Sequence, residues 1–126
     1  MLSELGNLSV LIASALSFIL ILFSMIELRN NEPSPTIRIK NFSILQLFFT
    51  NLSFFILIMA YLFSDFSLIN VYENSHTTKP TIYKLSGVWG NHEGSLLLWI
   101  NVLVLFSFLF YINNFKIDKK FKLLTL

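Results

Sequence analysis

The sequence predicts an all-α integral membrane protein with three transmembrane helices, N-terminus outside and C-terminus inside. Three observations carry that prediction. Of the 126 residues, 55% are hydrophobic and 13% are charged, about half the charged share of an ordinary soluble domain. A chain this short has too much surface for its volume to hide that apolar area from water. The apolar residues also gather into three long runs separated by charged stretches, the pattern of membrane spans. The whole of 1–126 reads as one membrane domain.

The first run, Leu5–Leu28, is "LGNLSVLIASALSFILILFSMIEL". As a helix it would be roughly 36 Å long at 1.5 Å per residue, enough for a hydrocarbon core of about 30 Å. Its one charge, Glu27, lies at the far end. Ser9, Ala13 and Ser17 recur every four residues and offer a shallow stripe for close helix approach, or simply face lipid. The start, Met1-Leu2-Ser3-Glu4, is acidic, and the run is longer than a signal-peptide core, so the span is expected to be retained.

"RNNEPSPTIRIKN", residues 29–41, then breaks the run. Pro33 and Pro35 lack a backbone donor and disfavour a continuing helix. The second span is expected over Phe42–Ser64, with Gln46, Thr50, Asn51 and Ser53 inside it. An amide in hydrocarbon wants a partner, so Asn51 is expected to face protein, in a helix–helix hydrogen bond or against a ligand. The third span is expected over Ser95–Ile112, which is at the short limit unless it begins a turn earlier, near His92. Asn101 is its strongly polar interior residue. The tail "NNFKIDKKFKLLTL" is basic and partly apolar, suited to an interfacial segment or to the start of a further domain.

Charge sets the orientation. The first break carries Arg29, Arg38 and Lys40 against Glu32, and the tail carries Lys116, Lys119, Lys120 and Lys122 against Asp118. The long connection 65–94 has Lys79 and Lys84 against Asp65, Glu73 and Glu93, and the N-terminus offers Glu4. Basic loops stay inside, so the connection 65–94 is placed outside. Because the basic residues are dispersed between spans and form no broad face, nucleic acid is excluded as a partner; membrane lipid is the implied one.

That outer connection reads "DFSLINVYENSHTTKPTIYKLSGVWGNHEG". "FSLINVY" is strand-like in composition, "ENSHTTKP" is turn-rich, and a connection this long is often functional. It ends in "GVWGNHEGSLLLW", residues 87–99. If one helix ran on from Trp89, then Trp89, His92, Leu96 and Trp99 would share a face, at spacings of three, four and three. Histidine can ligate haem iron, and Glu93 could orient its ring or carry a proton. The plainer reading is a polar first turn, with Glu93 favoured by the helix dipole and the tryptophans seated at the membrane interface. Gly90 could also break the helix and separate that face. Cysteine is absent, His76 and His92 are the two histidines, and "HEGSL" lacks the second histidine of a zinc motif. No metal site and no catalytic residue follows. The spans carry too few charges for an ion path.

"VWGNHEGSLLLW", residues 88–99, resembles a signature of the CcmF/NrfE family of cytochrome c-type biogenesis proteins, usually written "WGAHEGSLLLW"; here Asn91 replaces the alanine. "ELGN" at 4–7, "DFSLINVYENS" at 65–75 and Tyr83-Lys84 are similar to other family segments, so the likeness covers nearly the whole chain. It implies a cytochrome c haem lyase, acting at the outer face of the bacterial inner membrane or the intermembrane-space face of the mitochondrial one. Haem would come from a haem chaperone and be attached to apocytochrome c. Trp89, His92, Glu93 and Trp99 are the residues the resemblance offers for haem; His92 matches the signature histidine and none of the family's downstream haem ligands. Full members have many more spans, a Trp-rich outer segment and those ligands, so the resemblance points to the amino-terminal portion. It implies a subunit working with companion CcmF-like fragments, as from a split mitochondrial gene, and not a self-sufficient enzyme. Abundant Phe, Ile, Asn and Lys fit an AT-biased organelle or bacterial gene. The rival expectation is a structural subunit of a larger respiratory or transport complex, in which the HEG stretch only caps a helix.

Overall fold

The computed structural model describes residues 2–29, 37–112 and 123–125. Five helices follow one another: α1 (Leu2–Arg29), α2 (Ile37–Phe63), α3 (Ile69–Asn74), α4 (Thr81–Gly90) and α5 (His92–Ile112). No strand occurs among the described residues. Three of the helices, α1, α2 and α5, are long and apolar enough to cross a membrane. Large apolar side chains cover their outer surfaces, among them Phe18, Leu22, Leu103 and Phe106. Such exposure is intolerable in water and natural in lipid.

α2 is the central element, with α1 along one side and α4 and α5 along another. α1 runs antiparallel to it. Gly6 lies against Ile56, so that a Cβ on Gly6 would come within 3.3 Å of the Ile56 side chain. Eleven residues further along α1, Gln46 Nε2 donates to Ser17 Oγ at 2.7 Å. The small-residue stripe therefore does face a helix: Ser9 and Ala13 are buried, and Ser17 is half-buried. Opposite it, α2 buries Ser43, Gln46, Thr50 and Ser53. Most of these hydroxyls satisfy themselves locally, as Ser9 does on Gly6 O, Thr50 on Gln46 O and Ser53 on Thr50 O. The Gln46–Ser17 bond fixes the register between helices, a contact worth about 0.6–2 kcal/mol in lipid.

Asn51 departs from expectation. It faces neither neighbouring helix; it is exposed, and its Nδ2 donates to Leu47 O of its own turn. The helix phase explains this. Gln46, Thr50 and Ser53 recur at spacings of four and three on the α1 side, which turns the next residue, Asn51, outward.

The apolar packing divides into two clusters. Leu20, Ile39, Tyr111 and Leu123 meet at one end of the bundle, with Phe23 stacked on Phe42 at 5.5 Å between centroids. Ala60, Tyr61, Val71 and Val88 form the second cluster, at the end where α3 and α4 dock.

Several boundaries differ from the sequence-based ones. α2 starts at Ile37, since the prolines end at Pro35 and long basic side chains tolerate a helix end by extending toward water. "FSLINVY" is a turn followed by α3, because the β-branched residues Ile69 and Val71 sit on a short helix with Val71 buried against Tyr61. The connection 65–94 is thus mostly helical. The tail's interfacial segment falls largely outside the described residues, as do Pro33 and Pro35.

α2 ends in a Schellman turn. Asp65 N donates to Ala60 O and Ser64 N to Tyr61 O, the pairing that satisfies terminal carbonyls. Ser64 takes the left-handed position at φ 55°, where glycine is usual. Its hydroxyl accepts from Lys84 Nζ at 2.6 Å, tying α4 to the end of α2. Just beyond, the Ser67 hydroxyl and backbone N–H both donate to Asp65 and hold its carboxyl below the usual range.

Candidate functional site

The stretch 87–99 is not one helix. α4 ends at Gly90, Asn91 is extended at φ −107° and ψ 165°, and α5 starts at His92. The break is at Asn91, one residue after the glycine. Asn91 is the N-cap of α5: its backbone carbonyl accepts from Ser95 N, and its Oδ1 accepts from Gly94 N at 2.7 Å. Asparagine is among the strongest N-caps because its short side chain reaches the donors left orphaned at the first turn. The third long helix therefore gains the turn that Ser95–Ile112 lacked.

The amide of Asn91 reaches in the other direction too. Its Nδ2 lies 2.8 Å from Tyr61 Oη and 2.8 Å from Gly87 O. Tyr61 Oη donates to Asn70 Oδ1 at 2.6 Å. Asn70 Nδ2 donates to Asn91 Oδ1 at 3.0 Å and to Glu93 Oε2 at 2.5 Å. Tyr61, Asn70, Asn91 and Glu93 thus join the end of α2, the start of α3, the α4–α5 junction and the first turn of α5. The Tyr61 side chain is wholly buried, so its hydroxyl needs such a partner.

The junction is as tight as backbone allows. A Cβ on Gly94 would stand 1.7 Å from Val88 O, and one on Gly87 would stand 3.1 Å from the Tyr61 ring. Gly94 is therefore the point where α5 crosses the α4 backbone. Gly90 has nothing within 4 Å of a Cβ position.

The four sequence-predicted site residues divide. Glu93 joins the network through Asn70. Trp89 is on α4, and His92 and Trp99 are on α5, so the single continuous face does not form. His92, Leu96 and Trp99 keep a common face at spacings of four and three, with Trp99 72% exposed. The His92 side chain is exposed and hydrogen-bonds to nothing among the described residues. Glu93 does not orient it. The described residues contain no group of three or more His, Cys, Asp or Glu placed to hold a metal. Tyr61 and Asn70 were missed by the sequence reading. Asn91 had a readable signal, an asparagine just before an acidic first turn.

Two hollows flank the network. One, of about 440 Å³, lies between the start of α1 and the start of α5 and includes Ser3, Asn7, Leu57, Asn70 and Glu93 in its wall. The other, of about 490 Å³, is bounded by Asn74, Lys79, Tyr83, Gly87 and Asn91.

This arrangement defines a multi-pass membrane protein whose third long helix is locked at its start by a capped polar junction. Comparison with known proteins points further, to cytochrome c-type biogenesis proteins of the CcmF/NrfE kind. The chain is 42% identical over 107 residues to the cytochrome c-type biogenesis protein CycK of Bradyrhizobium diazoefficiens, covering 85% of this chain and 16% of that protein. It is 39% identical over 112 residues to CcmF of Haemophilus influenzae, covering 86% and 17%. It is 34% identical over 121 residues to NrfE of the same organism, covering 96% and 19%. The chain thus spans less than a fifth of the length of these relatives. No family model and no solved structure matches it. The relatives are bacterial, and bundles of apolar helices belong to the inner membrane where outer-membrane spans are β-barrels; the chain is a multi-pass inner-membrane protein.

Proposed function

We propose that this chain is the amino-terminal region of a CcmF/NrfE-type cytochrome c haem lyase and that its α4–α5 junction serves haem delivery at the outer face of the membrane. The observation that supports this most is the division of the signature stretch. Asn91, Glu93 and Gly94 build a rigid turn, while Trp89, His92 and Trp99 stand exposed beside it. A side chain needed only to cap the helix would gain nothing from the indoles and imidazole around it. An imidazole with no hydrogen-bond partner among the described residues is free to contact a haem held mainly by other segments, with indole faces to lie along the macrocycle.

Haem is cargo in this reading, and apocytochrome c its acceptor. The activity needs polypeptide beyond the 126 residues, as a continuation or as companion CcmF-like fragments, in a bacterium or in a mitochondrion with a split gene. A haem chaperone supplies the haem. The basic residues in the break after α1 and in the tail support a reading with both inside and the α2–α5 connection outside.

The test is purification from gently solubilised membranes, followed by mass spectrometry and a haem absorption spectrum. Haem-lyase polypeptide with bound haem is expected, and His92→Ala should lower holocytochrome c yield while the complex still assembles. A stable set of respiratory subunits with no haem-lyase partner would replace this reading with the structural one.

A further inference from the structure

Four residues of α2 share one narrow face, at spacings of four, three and four: Ile44, Phe48, Asn51 and Phe55. All four are exposed. The face points away from α1, which packs on Ser43, Gln46, Thr50 and Ser53. It is apolar except for Asn51, and Asn51 sits near the midpoint of the helix, at the depth of the bilayer centre. One amide hydrogen is used on Leu47 O. The other hydrogen and Oδ1 find no partner among the described residues. Water is absent at that depth, so a polar group left facing acyl chains costs free energy that a protein partner would recover. The other polar side chains of α2's middle, Gln46, Thr50 and Ser53, are all buried and bonded. Asn51 is the exception, and Phe48 and Phe55, one helical turn to either side on the same face, are suited to packing on another helix.

We propose that the Ile44–Phe48–Asn51–Phe55 face seats a fourth transmembrane helix, one that presents a hydrogen-bonding side chain to Asn51 at mid-membrane. The occupant is assigned from the lengths. This chain covers only 16–19% of the length of the relatives described above, so most of a protein of that length lies outside these residues, and that remainder is the source we assign to the helix. A polar residue within a span is a known device for fixing which helices meet. The mid-membrane amide carries the proposal; only the source of the helix rests on the kinship.

The experiment uses the full protein in its own membranes. Photoreactive benzoylphenylalanine is placed at Phe48 or at Phe55, with Leu22 on the lipid-facing side of α1 as control. Adducts are mapped by mass spectrometry. The expected result is a crosslink from both α2 positions, and not from Leu22, to a membrane-spanning peptide that carries a polar side chain. An unchanged gel mobility would mean that this peptide continues the same chain, and a shifted one that it belongs to a companion fragment. Asn51→Leu should lower the yield roughly threefold or more, in line with interhelical hydrogen-bond strengths in lipid, and Asn51→Gln should restore it. Adducts to lipid only would overturn the proposal. So would adducts to α2 of a second copy, or yields that ignore Asn51→Leu.

Discussion

The two sides of the stretch 88–99 are built on opposite principles. On one side, Gly94 meets Val88 so closely that no Cβ can be added, and both polar atoms of the Asn91 side chain are spoken for. On the other, Trp89, His92 and Trp99 stand exposed, and His92 makes no side-chain bond among the described residues. The difference separates two demands. The packed side fixes where α5 begins and at what angle it leaves α4. The exposed side uses that fixed frame to hold an imidazole and two indoles at one end of the bundle. Substitutions on the first side should be felt as stability, and those on the second as function.

The sharpest test of the packed side is Gly94→Ala. Its methyl would stand 1.7 Å from Val88 O, a backbone atom that cannot rotate away. The α4–α5 junction must open, at a cost of about 3 kcal/mol or more, the upper range of single substitutions. Limited proteolysis in detergent should show 65–91 cut far faster than in the parent. Unaltered cleavage would mean that the crossing is looser than described.

Next in size is Asn91→Ala, which restores the alanine usual in the resembling signature. It removes the α5 cap, worth about 1 kcal/mol, and leaves the Tyr61 hydroxyl and Asn70 amide short of a partner, at about 1–3 kcal/mol for a buried group. A loss of about 2 kcal/mol in thermal denaturation is expected. Asn70→Ala should cost less alone and be non-additive with Asn91→Ala, since both act through one network. Simple additivity would break the claim that the four side chains act as a unit.

How much of this could be read from sequence follows the same division. The three long helices were legible because length and apolarity suffice for them. The Ser9–Ala13–Ser17 stripe was legible as a candidate packing face because small residues recur every four, but its spacing alone left a lipid-facing role equally open. The direction of Asn51 was not legible, since periodicity shows that four polar residues lie in α2 and not which way each one turns. The strand-like composition of "FSLINVY" gave way to tertiary packing of Val71 on Tyr61. Tyr61 and Asn70 were invisible because their partnership with Asn91 spans thirty and twenty-one residues. The signature itself was visible, but its division into a packed and an exposed side depends on the break at Asn91.

The exposed side should behave in reverse. His92→Ala and Trp99→Ala remove exposed side chains that make no hydrogen bond among the described residues, so stability should stay within about 0.5 kcal/mol, as for ordinary surface positions. Any loss of holocytochrome c yield would then be attributable to the lost imidazole or indole. A parallel fall in melting temperature would show these residues to be part of the frame.

The smallest effect, and the most discriminating in sign, belongs to Gly90→Ala. Gly90 lies four residues before Gly94, in the same motif, and sequence alone treats the two alike. Its backbone needs no positive φ, and a Cβ would meet nothing within 4 Å. Alanine there restricts the unfolded chain without straining the folded one, which stabilises by about 0.4–1 kcal/mol. The pair therefore makes a comparison within one turn of chain: the same methyl should destabilise strongly at Gly94 and stabilise slightly at Gly90. If Gly90→Ala leaves stability intact yet lowers holocytochrome c yield, the open space above Gly90 is occupied during haem transfer, and the exposed side extends onto α4 beyond Trp89. If it changes neither, Gly90 only ends α4, and the exposed side is confined to the two indoles and the imidazole.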